Sequence, residues 1–217
     1  NNPTGVVYDR TTIEGIARAC EAQDLWCISD EVYDTQVWDG THLSPRMIEG
    51  MAERTLVVGS MSKSHAMTGS RVGWVVGPED VIAHMINLAT HTTYGVPGYI
   101  QDAAVFALGE GVPLEDKVAA PFRRRRDIAK RLMTGQNVVR MVASGGAMYL
   151  MLDMRATGLS GEAFANRLLD AHHIAVMPGE SFGQAAAGHI RVAMTVEDTA
   201  FETALGTVLT FAQELAQ

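Results

Sequence analysis

Basic residues are in short supply: 17 lysines and arginines stand against 25 aspartates and glutamates, a net charge of -8. The acidic excess is spread along the chain and forms no tail, so nucleic acid is not an expected partner, because its phosphates call for clustered cations. Cysteine is scarcer still. Cys20 and Cys27 are the only two, and no second Cys or His pair stands at zinc spacing. Neither a disulfide framework nor a metal site is expected, and buried thiols in a reducing compartment are. No apolar run approaches the roughly 18 to 20 residues that cross a bilayer. The start lacks the basic, apolar, small-residue order of a secretory signal. Together these absences predict a cytoplasmic protein with no membrane partner.

What is present is an ordinary core-forming composition, 47% hydrophobic and 19% charged over 217 residues. That length suits one large domain, or one domain plus part of another. The twelve methionines are scattered through apolar stretches and read as core filling. Asn1-Asn2-Pro3-Thr4-Gly5 is turn chemistry with no element before it, which predicts that the chain continues a longer one.

Along the chain, residues 11–24 predict a helix, with Thr11 and Glu14 as a capping box and Ile13, Ile16, Ala17 and Cys20 on one face. Short apolar strands follow at 25–29 and 56–59. Polar residues gather just beyond each: Asp30-Glu31-Val32-Tyr33 after the first, Ser60-Met61-Ser62-Lys63 after the second. In open α/β sheets the C-terminal strand edge is where ligands bind. A strand at 71–77 and helices at 80–91, 98–109 and 114–133 come next. The order then changes to strands at 147–154, 174–177 and 189–195, with helices at 161–172 and from 198. This is an α/β portion followed by a smaller α+β unit, and the boundary is expected within the long helix, giving domains 1–115 and 116–217.

Lys63 follows a buried strand and is flanked by Ser60, Ser62, Ser64 and Gly69, a context poorly explained by surface salt bridging. Arg71 stands in Thr68-Gly69-Ser70-Arg71-Val72-Gly73-Trp74, where glycines admit close backbone approach and arginine offers a planar fork for phosphate. An amine for a carbonyl, with arginine and hydroxyls for a phosphate, suits an aldehyde cofactor bearing a phosphate group. Asp30 is a strand-end carboxylate able to pair with a pyridinium nitrogen, and Tyr33 and Asn2 can hydrogen-bond a phenolic oxygen. Taken singly, each has a plain structural alternative: a solvated lysine, a glycine-rich bend with a surface arginine, a capping aspartate.

Asn2-Pro3-Thr4-Gly5, Asp30-Glu31-Val32-Tyr33, Ser60-Met61-Ser62-Lys63 and Gly69-Ser70-Arg71-Val72-Gly73-Trp74 occur in an order and at spacings that resemble the class I and II aminotransferases, fold-type I pyridoxal 5'-phosphate enzymes. The resemblance covers the whole chain. It implies the C-terminal part of a large mixed-sheet domain plus a small α+β domain, with pyridoxal phosphate as cofactor. It implies Lys63 as the Schiff-base lysine, Asp30 as partner of the pyridine nitrogen, and Asn2 and Tyr33 as partners of the phenolic oxygen. Ser60, Arg71 and, less directly, Ser62 are implied phosphate ligands. Arg191, in Gly188-His189-Ile190-Arg191-Val192, matches the family's arginine for the substrate α-carboxylate; on residue grounds alone it is equally an edge-strand residue paired with Glu197. Gly146-Ala147-Met148-Tyr149 and Pro178-Gly179-Glu180-Ser181-Phe182-Gly183 resemble segments bordering the substrate pocket.

Two departures stand out. Ser70 replaces an aromatic residue found in many relatives, and the family's N-terminal portion, with its glycine-containing phosphate loop, ring-stacking aromatic residue and part of the dimer contact, is not in this chain. Ser64-His65-Ala66-Met67-Thr68-Gly69 and Gly158-Leu159-Ser160 look similar to arginine–pyruvate aminotransferases. The resemblance implies a homodimer that moves an amino group between an α-amino acid and a 2-oxo acid. A carbon–sulfur β-lyase on the same scaffold, or an inactive fragment or ligand sensor, are the competing readings. The run Arg123 to Arg126 reads as a solvated helix face, and His172-His173 as a helix C-terminus, not metal ligands.

Overall fold

A computed structural model describes residues 1–216. The chain forms two compact units, residues 8–119 and residues 1–7 together with 120–217.

In the 8–119 unit, helix α1 (Arg10–Ala22) begins one residue earlier than the sequence predicts. Asp9, not Thr11, is its N-cap, and the Asp9 carboxylate accepts the backbone N–H of Thr12 at 2.8 Å. Both residue types cap helices well, and the earlier one wins because its extended backbone already aims the side chain at the first free amides. Hydrogen bonding from the Thr12 side chain, and then from its backbone N–H, lowers the Asp9 pKa. Ile13, Ala17 and Cys20 are buried as expected, whereas Ile16 is exposed.

Strands β1 (Cys27–Asp30), β2 (Thr55–Ser60) and β3 (Gly73–Val76) form a sheet in that order, β1 parallel to β2 and β2 antiparallel to β3. Two glycines make the β2–β3 contact feasible. A Cβ on Gly59 would lie 2.3 Å from the Trp74 ring, and one on Gly73 would lie 2.5 Å from the Gly59 carbonyl oxygen. The strand expected from residue 71 therefore starts later, because Arg71 itself is left-handed (φ 52°) at the end of a 3-10 turn over Thr68–Ser70. Ser60 caps the short helix α2 (Met61–Ser64) by accepting the Ser62 N–H at 3.1 Å.

Helices α3 (Glu79–Thr92) and α4 (Gly98–Glu110) bury little: no residue of α3 and only Ala104 and Ala107 of α4. Those two alanines pack with Met61, Met67, Val72 and Leu114. Beyond β1, the enclosed Glu31 carboxylate meets His42 Nε2 at 2.8 Å. Burial opposes ionisation of Glu31, but its hydrogen bonds to His42, Ser44 and Ser29 outweigh it and hold the carboxyl below its ordinary value. The same Glu31 bond raises His42.

Helix α5 (Val112–Met133) runs from one unit into the other, with Pro121 inside it. In the 120–217 unit, β4 (Arg140–Met141), β5 (Tyr149–Asp153), β6 (Met177–Pro178) and β7 (His189–Ala193) form an antiparallel sheet in the order β4-β5-β7-β6. Helices α6 (Gly161–His172) and α7 (Asp198–Leu215) complete it. Leu150, Leu152, Phe164, Leu168, Ile190 and Phe201 centre a continuous core. Ser160 caps α6 by accepting the Ala163 N–H, and His172 ends the helix with its ring 5.0 Å from that of Phe211, edge to face.

The expected strand at 174–177 shifts to Met177–Pro178, where it pairs with Arg191 and Ile190. The arginine run is the solvated face the sequence predicts only at Arg123 and Arg124, which are exposed; Arg125 and Arg126 are drawn in. Arg126 is 5% exposed and donates to the Ser144 carbonyl at 2.8 Å, while Arg124 and Arg125 both grip Asp198, at 2.9 and 2.8 Å. A charge run on a helix of an acidic chain is solvated by default, and only carbonyls and carboxylates brought from distant segments overturn that. No helix among the described residues is long and apolar enough to cross a membrane.

Candidate active site

Parallel pairing of β1 with β2 brings the C-terminal ends of both strands to one sheet edge. Asp30 lies opposite Val58, and the Glu31 N–H continues the ladder to the Val58 carbonyl at 2.8 Å. The loop after β1 thus runs beside the end of β2, where Ser60, Ser62 and Lys63 follow. Antiparallel pairing of Ser60 with Gly73 adds the segment carrying Arg71. Asp30, Tyr33, Ser60, Ser62, Lys63 and Arg71, up to 41 positions apart in the sequence, therefore share the edge of one unit.

Each side chain has a definite setting there. Asp30 is exposed and accepts the Val32 N–H at 3.3 Å. Tyr33 is half-buried. Ser60, besides capping α2, donates its hydroxyl to the Val72 carbonyl at 3.3 Å. Ser62 and Lys63 are half-buried on α2. Arg71 is exposed and donates one Nη1 bond to the Thr68 carbonyl at 2.9 Å. Gln36, which the sequence did not single out, is 1% exposed and donates to the Lys63 carbonyl at 3.1 Å, tying the loop after β1 to α2. Nothing local marks it, since a glutamine in a loop is ordinarily solvated. An amine, two hydroxyls, a guanidinium and a carboxylate on one strand edge form a donor set that suits a flat, phosphorylated carbonyl compound with a ring nitrogen. Among the described residues, no group of three or more His, Cys, Asp and Glu side chains converges as a metal site.

Asn2 and Arg191 belong to the other unit. Arg191 Nη1 donates to Asn2 Oδ1 at 2.7 Å, linking positions 189 apart. The Arg191 guanidinium lies 4.3 Å from the Tyr149 ring centre and 4.9 Å from that of Phe182. Its Nε is buried without a partner among the described residues. Pairing with Glu197, the alternative read from the sequence, does not occur. A guanidinium held against two rings and one amide oxygen is preorganised, and its fork suits a planar carboxylate.

A family model described as aminotransferase class I and II matches residues 1–208. An arginine–pyruvate transaminase of Pseudomonas aeruginosa is 48% identical, covering 90% of this chain and 50% of its own length. An aspartate/prephenate aminotransferase of Thermus thermophilus is 33% identical over 94% of this chain and 52% of its own. Among solved structures, an aromatic aminotransferase of Pyrococcus horikoshii superposes with a TM-score of 0.93 at 31% identity, covering 98% of this chain and 57% of that one. The chain spans about half the length of the curated relatives it matches. With the motifs in order and the match running almost from end to end, the chain belongs to the class I and II aminotransferase family.

Proposed function

We propose that the protein of which this chain forms a part is a pyridoxal-phosphate-dependent aminotransferase, working as a cytoplasmic homodimer. Residues 1–115 contribute to its large cofactor-binding domain and 116–217 form its small one. The observation that carries the reading is the shared sheet edge of Asp30, Tyr33, Ser60, Ser62, Lys63 and Arg71. Bound pyridoxal phosphate supplies an electron sink that stabilises negative charge at the substrate Cα.

The protein's own residues do the rest. Lys63 Nζ would hold the cofactor covalently and, when free, would move a proton to and from the substrate Cα as general base and acid. Asp30 keeps the ring nitrogen protonated, and Asn2 and Tyr33 bond the phenolic oxygen. Ser60, Ser62 and Arg71 hold the phosphate. Arg191 grips the α-carboxylate in two-pronged fashion and so fixes the direction of the Cα–H bond. Similarity to the Pseudomonas enzyme supports L-arginine as amino donor and pyruvate as acceptor. The β-lyase and sensor readings gain nothing from relatives named as transaminases.

Borohydride reduction of the full-length protein with its cofactor, followed by peptide mapping, is expected to label Lys63. L-arginine with pyruvate is expected to yield alanine faster than L-aspartate or L-tyrosine do. Label on another lysine would sink the site, and a preference for L-aspartate would sink the substrate while leaving the site intact.

A further inference from the structure

The turn Gly179–Phe182, between β6 and β7, carries a half-buried carboxylate that the proposed chemistry does not use. Glu180 Oε1 accepts two backbone N–H groups, from Gly161 at 2.9 Å and from Gly188 at 3.0 Å. Gly161 opens α6, and Gly188 immediately precedes β7. One carboxylate oxygen thus ties together a helix start, a turn and the entry to the strand that carries Arg191. The second oxygen, Oε2, is buried without a partner among the described residues. Burial opposes its charge, but the backbone N–H of Gly188, with others around it, holds the carboxyl below its ordinary value.

The three segments are packed too closely for side chains. A Cβ on Gly161 would lie 2.1 Å from the His189 carbonyl oxygen, and one on Gly179 would lie 2.0 Å from that of Ala186. The same turn ends in Phe182, whose ring lies 4.9 Å from the Arg191 guanidinium, and Met177 pairs with Arg191 across the β6–β7 ladder. Arg191 therefore takes one stacking partner and its own strand entry from segments joined through Glu180. A half-buried carboxylate that accepts two backbone amides and keeps its second oxygen from water is a costly element to place in a surface turn unless it fixes a geometry.

We propose that Glu180 is a positioning residue for Arg191, setting the aim of the guanidinium by holding the Phe182 turn and the start of β7 in register with α6. The proposal rests on the reading of Arg191 as the carboxylate grip. Loss of the clamp lets the turn and strand entry shift together, and a misplacement of this kind weakens substrate capture more than the proton transfer at Lys63. The amide of Glu180→Gln keeps the oxygen that accepts both N–H groups, so it retains the clamp without the charge.

Steady-state kinetics on the full-length holoenzyme test this, with Glu180→Ala, Glu180→Gln, Arg191→Lys and the double variant Glu180→Ala/Arg191→Lys. Glu180→Ala is expected to raise KM for pyruvate about 10-fold while kcat falls less than about 3-fold and the visible cofactor absorbance is retained. Glu180→Gln is expected to recover most of the loss. In the Arg191→Lys background, Glu180→Ala is expected to add less than about 2-fold, because the residue it acts through has gone. Should Glu180→Ala fail to accumulate folded, Glu180→Asp, which keeps the charge but shortens the reach, puts the same split to the test. An unchanged KM, or a full and additive effect in the Arg191→Lys background, overturns the proposal while the Arg191 reading stands. An Arg191→Lys variant with wild-type KM overturns that reading, and this proposal with it.

Discussion

The two units enclose their apolar residues to very different degrees. In the 120–217 unit, Leu150, Leu152, Phe164 and Leu168 are fully buried, and strand and helix faces close on one another. In the 8–119 unit, Ile28 is 71% exposed although it sits in the middle of β1, and Phe106 on α4 is 72% exposed. The first unit satisfies its own hydrophobic pattern; the second carries more apolar surface than its own elements cover. Large apolar side chains left open in this way are the kind that another surface covers, and the relatives are about twice as long as this chain. The less enclosed unit is also the one that carries Lys63, so the proposed proton transfer and the self-sufficient core lie on different halves, while Arg191 belongs to the closed one.

The sharpest way to break that division is Lys63→Ala in the full-length protein. Turnover is expected to fall by roughly 10²- to 10⁴-fold or more, with the melting temperature little changed, because Lys63 is a half-buried end-of-helix residue. Single-turnover assays beside thermal melts check both halves of the statement, and a large loss of stability would place Lys63 in the scaffold.

Phe164→Ala probes the closed core. It is expected to cost about 3–5 kcal/mol in denaturant unfolding, since the ring is fully buried and 5.6 Å from that of Phe211. Ile28→Ala gives the matching test for the open unit: within about 0.5 kcal/mol in the 217-residue chain, and about 2–4 kcal/mol wherever further chain covers the strand face. Equal costs in both would remove the contrast between the units.

The His42–Glu31 pair tests the open unit in another way. His42 is raised from 6.5, so its contribution to stability is complete below that pH and is lost as pH rises through the higher folded value. Glu31 is lowered from 4.5, so its contribution is present above that pH and is lost as pH falls through the depressed value. His42→Gln is therefore expected to reduce the melting temperature most near about pH 5.5 and least near about pH 8.5. A difference that grows with pH would reverse the sign and exclude the pair.

The smallest effect is expected at the rim of the closed unit. Arg155 holds the Asp153 carboxyl at about 2, below its ordinary 3.8, through bonds of 2.8 and 2.7 Å. Asp153→Asn is expected to lower stability by less than about 1 kcal/mol at neutral pH, since Arg155 is largely exposed. The gap to the wild type closes as pH falls from 3.8 toward about 2. Unfolding curves from neutral to acid pH measure it.

Most helices were legible before the structure, α6 to the residue and α3, α4 and α7 to within one or two positions. Helical bonds close over four residues, so the periodic apolar pattern and the caps carry the information locally. Strand β4, only Arg140–Met141, was not legible, because two residues have no period and exist as a strand only through pairing with β5. The proposed Lys63 cluster was legible as a set of motifs whose order and spacing matter more than any member. Its assembly on one edge needed the β1–β2 register, which no stretch of sequence states by itself.

By itself, then, the order of residues determined the element types, the family motifs and the acidic, cysteine-poor character of the chain. Tertiary structure alone decided that Arg126 is buried on the Ser144 carbonyl, that Gln36 holds the Lys63 backbone, that Asn2 meets Arg191 and that Glu180 clamps Gly161 and Gly188. In each case a polar side chain that water would ordinarily satisfy finds its partner on a distant segment. Whether it is buried and bonded or solvated depends on where the fold brings that segment, and local propensity carries no record of it.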